Sequence, residues 1–372
     1  MIYPKILSTL IKGVKMNHLF RQNYLYREEL IERGKIILYF LIFCLFVFNV
    51  TIAGSDISKS GTTSGVILEI PASPRGLAMG SAVIANSPDA AVFYWNPALA
   101  TQFNKLTICM VSTPWLVGTH YNYFSTVIPT SFLTVGAYIS TWSMPDMKVR
   151  NEYYPLGTGD KFSAGDIVIG VAVARDLTDH FTIGGTIKYI QERIWHSSAY
   201  GFALDFGSIF LIDIGNGLRI GTTLMNYGTE MKLAGRDLYH YHDPNENMDG
   251  NNESIISGYV TDGWGLPLIF KIGISTDLVN SSHLKWVVEI DARHPSNNYE
   301  SLDFGTEIII NKFIALRCGA ERLFLKDENI SFGVGFGLKL PLSSYLTSNF
   351  DYGFRDYNQL GYLHSFGLEI GF

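Results

Sequence analysis

Apart from one stretch near its start, the sequence lacks any run of about 18 apolar residues, so nothing after that stretch could cross a bilayer as a helix. It lacks a basic excess as well. With 28 Lys and Arg against 34 Asp and Glu, the net charge of −6 leaves no electrostatic footprint for nucleic acid. Cysteine is scarce: Cys44 lies in the early apolar stretch, Cys109 and Cys318 in strand-like segments, and their spacing matches neither C-x-x-C nor a disulfide framework. All three read as small hydrophobes. No G-x-S-x-G elbow, phosphate loop or H-E-x-x-H occurs after the leader. The carboxylate pairs Glu289/Asp291 and Asp303/Glu307 share a strand face with Lys285 and Arg317, which points to ion pairing and not to acid–base catalysis. A non-enzymatic protein without a cofactor is expected.

What is abundant is apolar and small: 47% of residues are hydrophobic, 14% aromatic, and 36 are Gly. That apolar content is cut into short alternating pieces. Only residues 35–55, KIILYFLIFCLFVFNVTIAGS, break the pattern, with a basic flank at Arg33 and Lys35, an apolar stretch and small residues around Ala53. This is the layout of a signal peptide, with Thr51 and Ala53 at the −3 and −1 positions and a mature chain from Gly54. A retained anchor is the other reading of the same residues. The basic leader before Lys35 is unusual for a signal, and Met16 offers another start.

From Leu106 on, segments alternate apolar with small or polar residues between turn-forming positions, which is strand periodicity. In one, Tyr200, Phe202, Leu204, Phe206, Phe210 and Ile212 take one face while Gly201, Ala203, Asp205 and Gly207 take the other. Fourteen such segments are expected, at 106–113, 121–129, 131–142, 165–175, 180–192, 198–213, 216–226, 266–278, 283–293, 300–310, 312–321, 329–341, 344–354 and 361–372. The even number suits a closed bacterial barrel.

Charges fall on the small or polar parity: Lys188, Arg219, Lys271, Lys285, Glu289, Asp303, Glu307, Arg317, Glu321, Lys339 and Glu369. Parity alone allows a soluble sandwich, with those charges in water, or a membrane barrel, with them in the lumen. Connection lengths decide. Those after odd-numbered segments (114–120, 143–164, 193–197, 227–265, 294–299, 322–328 and 355–360) exceed those after even-numbered ones, which reduce to Thr130, 176–179, 214–215, 279–282, Asn311 and 342–343. Long outer loops and short periplasmic turns are the asymmetry of an outer-membrane barrel. Trp115, Trp142, Trp195 and Trp264 fall at the expected outer strand ends, where an indole suits the headgroup zone. The fold class is therefore all-β: a 14-stranded antiparallel transmembrane barrel at 106–372, preceded by a leader and signal at 1–53 and a plug at 54–105.

The plug has its own texture. Ser73 to Thr101 reads SPRGLAMGSAVIANSPDAAVFYWNPALAT, too rich in Gly and Ala for a barrel strand. Its Gly76, Leu77, Met79, Gly80 and Ala82, then Asp89 and Ala90, then Trp95, Asn96, Pro97 and Ala98 resemble the start of the PorV/PorQ proteins and, more distantly, of the FadL-type channels. Small residues would let a compact plug lie on the inner wall, and Asn96-Pro97 would turn the chain into the first strand.

PorV-like proteins are attachment components of type IX secretion, so the resemblance implies an outer-membrane protein that holds exported cargo proteins at the surface. FadL-like proteins admit hydrophobic small molecules, which is the alternative. A lumen parity rich in charge favours a polar, filled interior over an apolar path. For a partner, the loop 227–265 carries seven Asp or Glu against two Lys or Arg, with Tyr239, His240, Tyr241, His242 and Asp243 as candidate contacts. His240, His242 and Asp243 also have the spacing of a metal site, but in an acidic loop they read as solvated loop residues and no metal is expected. The last segment places Phe366, Leu368, Ile370 and Phe372 on one face, resembling the signal read by the barrel assembly machinery. Partners expected are thus outer-membrane lipid, that machinery and, from the resemblance, secreted cargo proteins and type IX secretion components, with no nucleic acid.

Overall fold

A computed structural model describes residues 59, 61–87, 89–244, 254–325, 330–343 and 345–372. The leader and signal expected at 1–53 lie outside the described residues. Fourteen strands form the wall: β1 Thr107–Pro114, β2 His120–Pro129, β3 Thr134–Ser143, β4 Ala164–Thr178, β5 Phe181–Ile194, β6 Ser197–Ile212, β7 Leu218–Gly228, β8 Ile269–Asn280, β9 Leu284–Pro295, β10 Ser301–Ile310, β11 Ile314–Leu323, β12 Ser331–Pro341, β13 Thr347–Asp356 and β14 Tyr362–Gly371. Every neighbour is antiparallel, and β1 pairs with β14 from Thr107↔Gly371 to Ser112↔Phe366, which closes the barrel and leaves no free edge.

Each expected segment coincides with one strand, the ends differing by three residues or fewer. The reason is the period of two: along β6 exposure alternates, with Tyr200, Phe202, Phe206 and Phe210 outward and Ala199, Ala203 and Asp205 inward. The outward set recurs around the wall, for example Met110, Ile169, Val171, Ile187, Ile272, Ile274, Val334 and Leu368, all more than a third exposed. A continuous apolar belt of this extent needs lipid against it, since soluble monomers do not expose one. No helix among the described residues is long and apolar enough to cross a membrane.

The loop asymmetry is narrower than the sequence suggests. One end carries 144–163 and 229–268, but 195–196, on the same end, is a tight turn, and 115–119, 296–300 and 357–361 are also short. The opposite end has only the short turns 130–133, 179–180, 213–217, 281–283, 311–313 and 342–346. The two long loops add short β-ladders beyond the wall: Met147–Lys148 with Lys161–Phe162, and Tyr239–His242 with Ile255–Gly258.

Residues 61–87 and 89–105 lie inside. The chain enters at the long-loop end, where Ser64 N donates to Gly265 O at 3.0 Å and Gly65 N to Glu192 Oε1 at 2.7 Å. It crosses the lumen through short helices at Val66–Glu69, Pro74–Ala78, Val92–Trp95 and Pro97–Gln102, then leaves at the short-turn end to begin β1.

Candidate functional site: the occupied lumen

The plug is seated by close approach. Ser73 caps the Pro74–Ala78 helix, its Oγ accepting from Gly76 N at 3.0 Å, with Pro74 in the first turn where its missing N–H costs nothing. Gly76 lies under the Trp95 ring, and a Cβ there would be 2.2 Å from the indole. Gly80 turns left-handed at φ 63° against the backbone of Ala320, where a Cβ would come within 2.5 Å. Met79 backbone fits between Gly305 and Gly319 of the wall. Asn96 caps the next helix by accepting from Ala98 N at 3.1 Å, while its Nδ2 donates to Ile84 O at 2.9 Å and to Ser208 O of β6 at 3.2 Å. Asp89 accepts from Ser73 Oγ and Ala91 N, both at 3.1 Å, and burial pushes its carboxyl above the ordinary value, against the pull of Arg75. The motif residues thus shape the plug and its contact with the wall.

On one side the plug meets charge. Arg75 reaches Glu307 at 2.9 Å and Asn86 O at 3.0 Å; Glu307 also takes Arg317 at 2.6 Å, and Arg317 continues to Asp351. A second chain runs from Arg355 through Glu321 to Arg293 (2.9 Å), Asp303 (3.2 Å) and Lys271 (3.0 Å). Arg355 and Lys271 also donate to plug carbonyls, Leu77 O at 3.0 Å and Ser81 O at 3.2 Å. Asp291 accepts from Val83 N at 3.0 Å and Glu289 from Ala85 N at 2.6 Å. These groups sit on β8–β13. They satisfy plug backbone that burial in the lumen would otherwise leave without a protein partner.

The other side is apolar. Lumen-facing positions of β1–β6 include Cys109, Val111, Val127, Tyr138, Val168, Ala172, Ile190, Ala203 and Ile209, packed with Phe93, Trp95 and Leu99 of the plug. Tyr123 stacks on Tyr138 at 5.4 Å. Polar ties to this wall are few: Ser125 Oγ to Ala90 O at 2.7 Å, besides Asn96 and Gly65. Lys188 and Asp205 of β5 and β6 pair with each other at 2.7 Å, and Asn226 joins them at a bulge in β7 where its φ is 65°. The polar, filled interior expected from strand parity is therefore corrected in part: the lumen is filled, but apart from Lys188, Asp205 and Glu369 the buried wall charge is gathered on β8–β13, and the β1–β6 side is largely apolar. At the short-turn end this side opens into a cavity of about 410 Å3 of mixed lining, with Ala98, Leu177, Ile209 and Leu211 beside Thr101, Gln102, Asp176, Thr178, Asp179 and Thr182.

Other expected residues fall elsewhere. Trp142 is not in a headgroup belt: it lies on lumen parity, donates from Nε1 to Thr119 Oγ1 at 3.1 Å, and with Trp115 packs on the lumen core. Trp195 and Trp264 are exposed at the long-loop end. Tyr239, Tyr241 and Ile256 stand out on the loop hairpin, exposed by 63%, 75% and 68%. His240 stacks on Tyr259 at 4.6 Å, its ring 6.5 Å from that of His242. Among the described residues no three His, Cys, Asp or Glu gather as a metal site. Cys109 is free and buried, so no Cys109–Cys318 bond exists. Phe366, Leu368 and Phe372 face outward with Ile370 half-buried beside them. Arg75 and Arg355 were missed by pattern reading. Arg75 sits among small plug residues, and Arg355 lies one position past the expected strand end at 354.

No family model matches the sequence, and no curated protein does. Among solved structures the chain is similar to the toluene transporter TbuX of Ralstonia pickettii, at 11% identity over 80% of this chain and 97% of that one, with a TM-score of 0.48. It is likewise similar to the toluene transporter TodX of Pseudomonas putida (11%, 80% and 96%, 0.49) and to a FadL homologue of Pseudomonas aeruginosa (10%, 81% and 97%, 0.47). The barrel assignment rests on the β1–β14 pairing and not on this likeness.

Proposed function

We propose that this chain is an outer-membrane barrel that passes hydrophobic small molecules along the seam between its plug and the β1–β6 wall. The observation that carries the reading is the division of the lumen. On β8–β13 the plug is held by the buried Arg75–Glu307 pair and by hydrogen bonds from buried wall charges to its backbone, and separating them would strand charges in the interior. Against β1–β6 it is held mainly by apolar contact, which an apolar solute can replace without leaving polar groups unpaired. The 410 Å3 cavity on the same side supplies a mouth at the short-turn end.

The test is entry of a labelled hydrophobic compound into cells lacking the gene and complemented with it, alongside ion conductance in planar bilayers. Faster uptake with little conductance is the expected result. Uptake that does not depend on the protein removes the proposal. A second reading, attachment of exported proteins at the cell surface as in type IX secretion, is favoured by the projecting hairpin with Tyr239, Tyr241 and Ile256 exposed. Recovery of secreted proteins with the barrel from outer membranes, lost when these side chains are changed to Ser, would support that role instead.

A further inference from the structure

Where the turn between β10 and β11 meets the end of β12, at the short-turn rim, the wall holds a pocket of about 120 Å3. Its lining includes the lumen residues Arg75, Asp89 and Arg317 and, at the rim, Phe313, Ile314 and Leu338, which are exposed. The floor is balanced, since Arg75 and Arg317 are paired with Glu307 and Asp351. Asp89 adds a carboxyl that burial moves toward its neutral form.

The rim is not balanced. Lys312 and Lys339 also line the pocket, both exposed, and neither side chain has an ion-pair or hydrogen-bond partner among the described residues. Their placement is built into the backbone. Asn311 and Lys312 form a left-handed turn at φ 50° and 64°, a position where Gly is favoured over any L-residue. Lys339 N donates to Phe313 O at 2.8 Å, which fixes the end of β12 against that turn. Asn349 completes the pocket. Its Nδ2 donates to Glu369 at 2.7 Å, and its buried Oδ1 has no partner.

We propose that this rim binds the headgroup of phosphatidylglycerol from the membrane leaflet on the short-turn side. The two ammonium groups take the phosphate, Asn349 Oδ1 accepts from a glycerol hydroxyl, and the acyl chains lie along Phe313, Ile314 and Leu338. Two unpaired cations beside an apolar surface fit an anion that carries its own hydrocarbon. The proposal is independent of any passage along the opposite wall.

Native mass spectrometry of the full barrel, released from detergent with equimolar phosphatidylglycerol and phosphatidylcholine, tests it. Wild type should retain phosphatidylglycerol roughly tenfold over the zwitterionic lipid. K312G with K339Q should abolish that preference, and because Gly relieves the left-handed turn the variant should still fold, as heat-modifiable migration will report. No preference in wild type, or a preference that survives in the double variant, overturns the proposal. Displacement of the lipid by millimolar inorganic phosphate would mark a free-anion site and overturn it too, whereas persistence of the lipid supports it.

Discussion

At Arg75 plug and wall share one charge network, with its guanidinium held by Glu307 and by Asn86 O while Glu307 holds Arg317. Such a pair is weak as a source of stability but costly to break, because one partner is left buried and uncompensated. Arg75→Gln should therefore lower the unfolding free energy by roughly 3–5 kcal/mol, read from urea midpoints of the refolded barrel. Asp89 behaves in the opposite sense. Burial raises its carboxyl above the ordinary 3.8, so the folded state binds the proton more tightly than the unfolded state does. Its contribution is fully present below the unfolded value and is lost as pH rises through the folded one. Asp89→Asn, which keeps an acceptor for Ser73 and Ala91, should leave stability at neutral pH unchanged or higher and flatten the acid-to-neutral slope. A steeper slope in the variant would refute this assignment.

Among the elements, the Met79–Ser81 turn sets how close the plug comes to β10 and β11. Gly80→Val puts a β-branched residue at φ 63° and a Cβ 2.5 Å from Ala320, so the turn should lift at a cost of more than about 2 kcal/mol. Limited proteolysis should then cut within 61–105 while the barrel still migrates as folded. At the short-turn end, His180 in the β4–β5 turn bonds Asp213 in the β6–β7 connection at 2.9 Å, and that bond raises the imidazole above 6.5. The link is present below that value and lost as pH rises through the folded one, so an NMR titration should place His180 higher in wild type than in Asp213→Asn. The strands themselves were legible because inside–outside alternation is local, written every second residue. Which arc of wall meets which face of the plug is tertiary, and so the apolar β1–β6 side escaped notice: Tyr121, Tyr123 and Tyr138 are bulky residues on lumen parity. For the same reason Trp142 was expected in the headgroup zone, and the motif glycines were legible as close-approach residues without the partners, Trp95 and Ala320, that require them.

For the whole molecule, a filled lumen constrains assembly. Closing β1 on β14 around the plug buries, among the described residues, fourteen ionisable side chains, Arg75, Asp89, Lys188, Asp205, Lys271, Asp277, Glu289, Asp291, Asp303, Glu307, Arg317, Glu321, Arg355 and Glu369, so the plug has to be in place by the time the seam closes. The seam ends at Phe372, whose N donates to Leu106 O at 2.9 Å and whose ring is 51% exposed on the lipid face in line with Phe366, Leu368 and Ile370. Its loss removes one hydrogen bond, worth about 1 kcal/mol net, and an aromatic ring with few protein contacts. Equilibrium stability of the refolded barrel should therefore change little. Capture of the last strand in the cell depends instead on that outward row, so deleting Phe372 should lower the heat-modifiable barrel recovered from outer membranes while leaving in vitro urea midpoints nearly unchanged. Equal recovery of the deletion and wild type would show that the terminal aromatic has no part in assembly; a large fall in the midpoint would show that it acts by holding the closed seam.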